Sequence, residues 1–472
     1  MKKIFHFNHA HLVGIKGVAM TSLAQILTDA EISVTGSDVP ENYVTKQQLD
    51  RLAVDVQSSF HEPLPPLTDV VIYTAAHQGE NNPQVQAAQK QGIPCYSQAE
   101  AISFFANAKE VIAVCGVGGK STVSAMITWI LEWNQRHPSF SVGVGNIPGL
   151  EKTGAWRASG HHFVVEADEY VTNPTAVLAG EFGTPRFSYL KPNCIVATNI
   201  TFDHPDVYAD FEHTKSTFAG FFSKLPQNGH LIATEQILQL GLPLPNCAVV
   251  SVSDRANATY RYEYLPQKSK AGTSVSRLII SNSTFTVTLG LPGEYNMQNA
   301  VCAIAATSTV GVSVPDAIAA LSTFRSTQRR FELRKTRLNS IFYDDYAHHP
   351  SEIEAVIKAL KEWYPEKNVV VAFQPHTFSR TRALLQQFAE SLQLADRVLI
   401  LDIFASAREA YDPSITAATL ADSVRTINPH IPTTVIPDTH ALSQYFLHKL
   451  PVNAVVLTAG AGNIYQVYDE LQ

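Results

Sequence analysis

Lys120 is preceded by Gly116-Val117-Gly118-Gly119 and followed by Ser121-Thr122, a run of residue types suited to phosphate. Glycines let backbone amides approach an oxyanion, the ammonium reaches terminal phosphate oxygens, and a hydroxyl at Ser121 or Thr122 can hold Mg²⁺. The long form of this pattern is not met, because its first glycine would fall at Val114. Further along, Glu166-Ala167-Asp168-Glu169 crowds carboxylates together, which is costly unless they are solvated or bound to a cation. Asp203-His204-Pro205-Asp206 mixes carboxylates with an imidazole. Asp344-Asp345-Tyr346-Ala347-His348-His349-Pro350 does so again, and Gln374-Pro375-His376-Thr377-Phe378-Ser379-Arg380-Thr381-Arg382 adds guanidinium groups that can grip a carboxylate or phosphate. Arg380 and Arg382 would point about 200° apart on a helix, so one of them faces any site there.

Each cluster follows a short apolar run of the kind that forms a buried strand. Val111 to Cys115 precedes the glycine loop, Phe163 to Val165 the carboxylates, Cys194 to Ile200 the His204 segment, Ile341 to Tyr343 the Asp345 segment and Val369 to Phe373 the His376 segment. Doubly wound α/β sheets place their chemistry at such strand ends. Helical periodicity follows the loop at Val123, Met126, Ile127, Ile130 and Leu131, and follows Pro350 at Ile353, Val356, Ile357, Leu360 and Trp363. Pro350 suits a first helical turn.

The chain opens with the same grammar. Leu12-Val13-Gly14-Ile15-Lys16-Gly17 reads as a strand and turn before a helix, and Ser37-Asp38 lies about 20 positions on, where an acidic residue can bind a ribose or base. Gly14 and Gly17 alone are a partial dinucleotide fingerprint, so a nicotinamide dehydrogenase is a distant alternative. Residues 229–291 read as a strand-rich sheet extension, and Gly293 to Ala300 opens a further helix.

A chain of 472 residues, 45% hydrophobic, has material for about three domains. A net charge of -7 without a Lys/Arg block argues against nucleic acid and against an anionic membrane surface. The start, Met1 to His9, lacks the apolar core of a signal peptide, and no run of about 18 apolar residues follows, so a cytoplasmic protein without membrane insertion is expected. The five cysteines are scattered without a C-x-x-C pair and are expected to be reduced and mostly buried.

With these motifs in this order, the whole chain resembles the Mur ligases, ATP-dependent amide-forming enzymes of peptidoglycan synthesis. The Asp344 to Pro350 and Phe373 to His376 segments, with the Gly14 to Met20 turn, look most like the branch that joins L-alanine to UDP-N-acetylmuramate. The resemblance implies an α/β fold of three domains: a Rossmann-like UDP-sugar-binding domain over 1–107, a P-loop ATP-binding domain over 108–327 and a Rossmann-like amino-acid-binding domain over 328–472. ATP and Mg²⁺ would be required, the partners would be small molecules, and the protein would be a monomer or homodimer.

By the same resemblance, Gly116, Val117, Gly118, Gly119, Lys120, Ser121 and Thr122 would cradle ATP, which Asn296, Asn299, Arg330 and Asp345 would also meet. Ser121, Glu166 and His204 would hold Mg²⁺. Gly14, Gly17, Ser37, Asp38, His204, Tyr346, His348, His376 and Arg380 would contact the sugar nucleotide or amino acid. The catalytic set would be Lys120, Glu166, His204, Asp345 and His348. Gly118, Lys16, Ala19, Tyr170, Val171, Ser326 and Asn463 depart from the family pattern, and Tyr295 stands where a histidine can approach a second metal. A ligase joining a whole peptide to the same sugar nucleotide, or a weakened nucleotide-sugar-binding protein, are the neighbouring readings.

Overall fold

A computed structural model describes residues 6–178, 180, 183–337, 340–405, 411–450 and 452–471, so the first five residues of the N-terminal segment lie outside the described part. The chain divides into two compact units. One comprises residues 1–263, 278–285 and 298–324, and the other residues 264–277, 286–297 and 325–472.

The first unit contains a five-stranded sheet in the order Asp55–Gln57, Ser33–Ser37, His9–Val13, Val70–Tyr73 and Cys95–Ser97. All its pairings are parallel, and the chain order reverses beside His9–Val13. Leu12, Val70 and Ile72 are fully buried, as parallel strands covered on both faces require. The helix Gln98–Ala106 is fixed at its start by a capping box between Ser97 and Glu100.

The same unit carries the centre of a ten-stranded sheet. Its parallel core runs Ala248–Ser253, His230–Thr234, Pro192–Ala197, Glu110–Cys115, His162–Glu166 and Ser139–Ser141. The helix Val18–Asp29 ties the two sheets together: Gln25 Oε1 accepts from the amides of Thr153 (2.9 Å) and Gly154 (2.8 Å). Gly154 is needed there, because a Cβ would lie 2.2 Å from the Ser22 carbonyl oxygen.

The second unit is built on a six-stranded sheet in the order Glu332–Arg337, Ser340–Asp345, Ala454–Ala459, Asn368–Phe373, Arg397–Leu401 and Thr433–Ile436. Only the first pair is antiparallel. The helix Pro350–Trp363 buries Ile353, Val356, Ile357, Leu360 and Trp363, with Pro350 in its first turn and His349 as its cap. Among the described residues all five cysteines are free thiols, Cys115, Cys194 and Cys302 being buried, and no helix is long and apolar enough to cross a membrane.

Candidate active site

The strand Glu110–Cys115 ends in Gly116, whose φ of +129° carries the chain into the loop. A Cβ at Gly116 would lie 2.2 Å from Thr198 Oγ1, so the tight passage there demands glycine. Gly119, at φ +86°, caps the helix Lys120–Trp133, and its Cβ position lies 2.8 Å from Asn299 Oδ1. The neighbouring strand end holds the loop's shape: Gly118 N donates to Asn199 Oδ1 at 2.8 Å and Thr198 Oγ1 donates to the Gly118 carbonyl at 2.6 Å.

Lys120 Nζ donates to the Gly116 carbonyl at 2.7 Å and to Glu169 Oε2 at 2.9 Å, with Asp168 Oδ1 at 3.9 Å. Burial alone would lower its pKa, but the carboxylates of Glu169 and Asp168 prevail and hold the ammonium above its usual range. Asp168 Oδ2 accepts from Arg186 at 2.7 Å. Although burial pushes Asp168 up, Arg186, Lys120 and His204 bring its pKa down to about 2. Asp168 and Glu169, just beyond the strand His162–Glu166, are therefore matched by cations.

Glu166 stands apart from that chain of ion pairs. Its Oε2 accepts from Ser121 Oγ at 3.1 Å and its Oε1 from Gly143 N at 2.6 Å. A hydroxyl and a carboxylate at the head of a phosphate loop form the hard-oxygen pair that suits Mg²⁺, which keeps its other positions for phosphate and water. His204 lies with other partners. Its Nε2 is 3.6 Å from Asp203 Oδ2 and 3.9 Å from Glu169 Oε1, and its ring meets Tyr170 at 4.7 Å. Among the described residues no group of His, Cys, Asp or Glu side chains forms a ready metal cage.

In the second unit, three parallel strand ends converge. Gly460 N donates to the Asp345 carbonyl at 3.2 Å, and Gln374 N to the Ala459 carbonyl at 2.9 Å. Asp345 is buried, with Oδ2 accepting from Phe331 N and Oδ1 from Ala347 N, both at 2.7 Å. Burial raises its pKa to about 6 against the pull of Arg330 and these two amides. Glu352 shows the opposite balance: burial pushes it up, but His348 and Arg330 hold it below the usual range. His348 Nδ1 lies 3.0 Å from the Tyr346 carbonyl, and its ring faces Tyr346 (5.2 Å) and His376 (6.4 Å). His376 Nδ1 is 3.3 Å from Arg380 NH1. Arg380 is buried, whereas Arg382 turns outward to Asp412 and Ser414, the division expected of two residues two apart on a helix.

Three family models cover nearly the whole chain: the Mur ligase family catalytic domain over residues 9–110, the Mur ligase middle domain over 114–307 and the Mur ligase glutamate ligase domain over 329–462. A UDP-N-acetylmuramate–L-alanine ligase from Desulfitobacterium hafniense is 32% identical over 98% of this chain and 99% of its own length. The chain belongs to the Mur ligase family. A second relative of the same name, from Acidithiobacillus ferrooxidans, is 34% identical over 96% of this chain and 95% of its own. The fold of this Mur ligase also matches the crystal structure of a UDP-N-acetylmuramate–alanine ligase from Thermotoga maritima, with a TM-score of 0.78, 24% identity and 98% of each chain covered. A murein peptide ligase from Psychrobacter arcticus follows at a TM-score of 0.69 and 22% identity, again over 98% of each chain.

Other motif residues of this Mur ligase sit less openly. Ser37 is buried and its hydroxyl donates to Gln84 Oε1 at 2.5 Å. Asp38 is buried too, accepting from the amides of Lys16 and Val39, both at 2.8 Å, with His77 Nε2 at 3.5 Å. The Ser37 carbonyl, which accepts from the Gly14 amide at 2.8 Å, and the Asp38 side chain together hold the Gly14 turn, where φ is +83° and a Cβ would strike Thr74 at 2.4 Å. The Gly17 amide donates to the Gly14 carbonyl at 3.2 Å. Asn296 donates to the Pro292 carbonyl at 2.9 Å. Arg330 lies over the Tyr346 ring at 5.0 Å.

Sequence reasoning named Glu169 only as one of a carboxylate cluster, without its lysine partner, and gave no role to Arg186 or Arg329. Arg329 Nε donates to Asp344 Oδ2 at 2.9 Å and its NH1 to the Gly462 carbonyl at 3.0 Å, and its guanidinium lies over Tyr465 at 4.6 Å. The Arg-Arg pair was visible, but nothing in it says which arginine turns inward.

Proposed function

We propose that this Mur ligase joins L-alanine to the carboxylate of UDP-N-acetylmuramate, splitting ATP to ADP and phosphate through an acyl phosphate. The supporting observation is the full-length match to relatives named for that reaction, together with a charged Lys120 at the mouth of a glycine loop beside the Ser121–Glu166 oxygens. Residues 1–107 are assigned to the sugar nucleotide, 108–327 to ATP and 328–472 to the amino acid.

A carboxylate does not react with an amine at neutral pH. Its oxygen must first attack the terminal phosphorus of ATP, with ADP as leaving group. The amine nitrogen then attacks the acyl carbon, and the C–O bond to phosphate breaks. Two anions meet in the first step, so cationic charge must offset their repulsion. Lys120 supplies it from the chain. Mg²⁺, held by Ser121 and Glu166, would add Lewis-acid stabilisation of phosphoryl charge when bound. His204 is assigned to orient the sugar nucleotide near its acid group. The second step needs an uncharged amine, and Asp345 or His348 is assigned to accept its proton. Tyr346, His376 and Arg380 are assigned to hold the amino acid, Arg380 through its carboxylate. Asn296, Asn299 and Arg330 are assigned to the nucleotide.

Phosphate release with ATP, Mg²⁺ and UDP-N-acetylmuramate, adding L-alanine, glycine, L-serine or a tripeptide in turn, tests this reading. L-alanine should give the highest kcat/KM, with glycine and serine lower by the modest factors that one small group permits. Preference for the tripeptide would instead place the chain with the peptide-joining ligases.

A further inference from the structure

Five polar side chains follow one another in contact beside the glycine loop: Arg186, Asp168, Lys120, Glu169 and His204. Arg186, Asp168 and Glu169 have no role in the chemistry above, and of these three Glu169 is the one whose carboxylate lies against both Lys120 and His204. Its side chain is 2% exposed, against 16% for Lys120 and 20% for His204, so the lysine and the histidine reach further toward solvent and Glu169 lies behind them. Its carboxylate spans both, with Oε2 at 2.9 Å from Lys120 Nζ and Oε1 at 3.9 Å from His204 Nε2. The main chain is fixed as well, since the buried Tyr208 donates its hydroxyl to the Glu169 carbonyl.

We propose that Glu169 is a positioning residue that aligns Lys120 with His204 and releases the Lys120 ammonium to the triphosphate when ATP binds. The ammonium donates to the Gly116 carbonyl and to Glu169. An entering phosphate competes with that carboxylate for the same donors, so part of the attraction between lysine and ATP is spent in breaking an internal pair. The pair keeps a buried cation aimed at one place, and its cost appears as weaker ATP binding. This inference rests on the assignment of Lys120 to ATP.

The test compares the full-length wild type with Glu169→Gln, which keeps the shape and removes the charge. ATP affinity is measured by calorimetry in Mg²⁺, and turnover by phosphate release with UDP-N-acetylmuramate and L-alanine. Glu169→Gln should bind ATP at least about threefold tighter while kcat falls by at least about 100-fold and the KM for L-alanine stays within about twofold. ATP affinity that is unchanged or weaker, or an unchanged kcat, would overturn the proposal. If melting shows that the glutamine variant does not fold, Glu169→Asp replaces it. That variant keeps the charge on a shorter arm and should hold ATP within about twofold of wild type with a reduced kcat; weakened ATP binding or full kcat would overturn the proposal. A wild type inactive with these substrates would refute the functional reading, whereas the ATP titration reports on Glu169 without turnover.

Discussion

Lys120 Nζ and Glu169 Oε2 form a 2.9 Å ion pair beside the glycine loop, so the cation assigned to phosphate is held in place by a buried carboxylate. Replacing the lysine removes that charge without touching the five-stranded sheet. Lys120→Ala should lower phosphate release by at least about 1000-fold and leave UDP-N-acetylmuramate affinity within about threefold, as turnover assays and equilibrium binding would show.

Asp345 gives a pH prediction. Its pKa is raised from 3.8 to about 6, so the folded protein holds this proton more tightly than the unfolded chain does. Its contribution to stability is therefore fully present below the unfolded value and lost as pH rises through the folded one, a swing of about 3 kcal/mol for a shift of roughly two units. Urea unfolding of wild type should show that loss between about pH 4 and 6, and Asp345→Asn should flatten it. Where the ionised form must accept a proton, kcat/KM should rise over the upper part of the same window.

Arg329 and Asp344 are both buried, with side chains 6% and 0% exposed. Arg329→Ala would remove the guanidinium from the Asp344 carboxylate, which keeps the Thr458 hydroxyl at 2.7 Å, and would free the carbonyls of Gly460 and Gly462. A loss of about 3–5 kcal/mol is expected, measured by denaturant unfolding. Arg329→Lys should recover only part of it, because an ammonium cannot fork to three acceptors in that geometry.

Ser326 adopts φ +78°, beside Arg329 at +60° and Phe331 at +48°. Its hydroxyl donates to the Arg330 carbonyl, which offsets the strain. Ser326→Gly relieves the backbone but loses the bond, while Ser326→Ala loses the bond and keeps the strain. The glycine variant should be about 1–2 kcal/mol more stable than the alanine variant, as thermal unfolding of the pair would reveal.

These residues also mark how far the sequence could be read. The strand–glycine–helix run at Val111 to Leu131 was legible because apolar spacing and glycine are local signals, and so was the division between Arg380 and Arg382. Partnerships across long separations were not. Lys120 meets Glu169 because the parallel strands Glu110–Cys115 and His162–Glu166 end side by side, and spacing along one chain does not report that register; Asp168 meets Arg186 because the segment after His162–Glu166 folds back on itself. Ser37 and Asp38 were recognised as a pair, yet their burial depends on Gln84 and on the Lys16 and Val39 amides, whose approach only the fold supplies.

The most direct measurement follows one oxygen atom. UDP-N-acetylmuramate labelled with oxygen-18 in its carboxylate is incubated with ATP, Mg²⁺, L-alanine and the protein, and the released phosphate is examined by mass spectrometry. Activation through an acyl phosphate delivers one labelled oxygen to each phosphate formed. Phosphate that emerges unlabelled while the amide accumulates would contradict it.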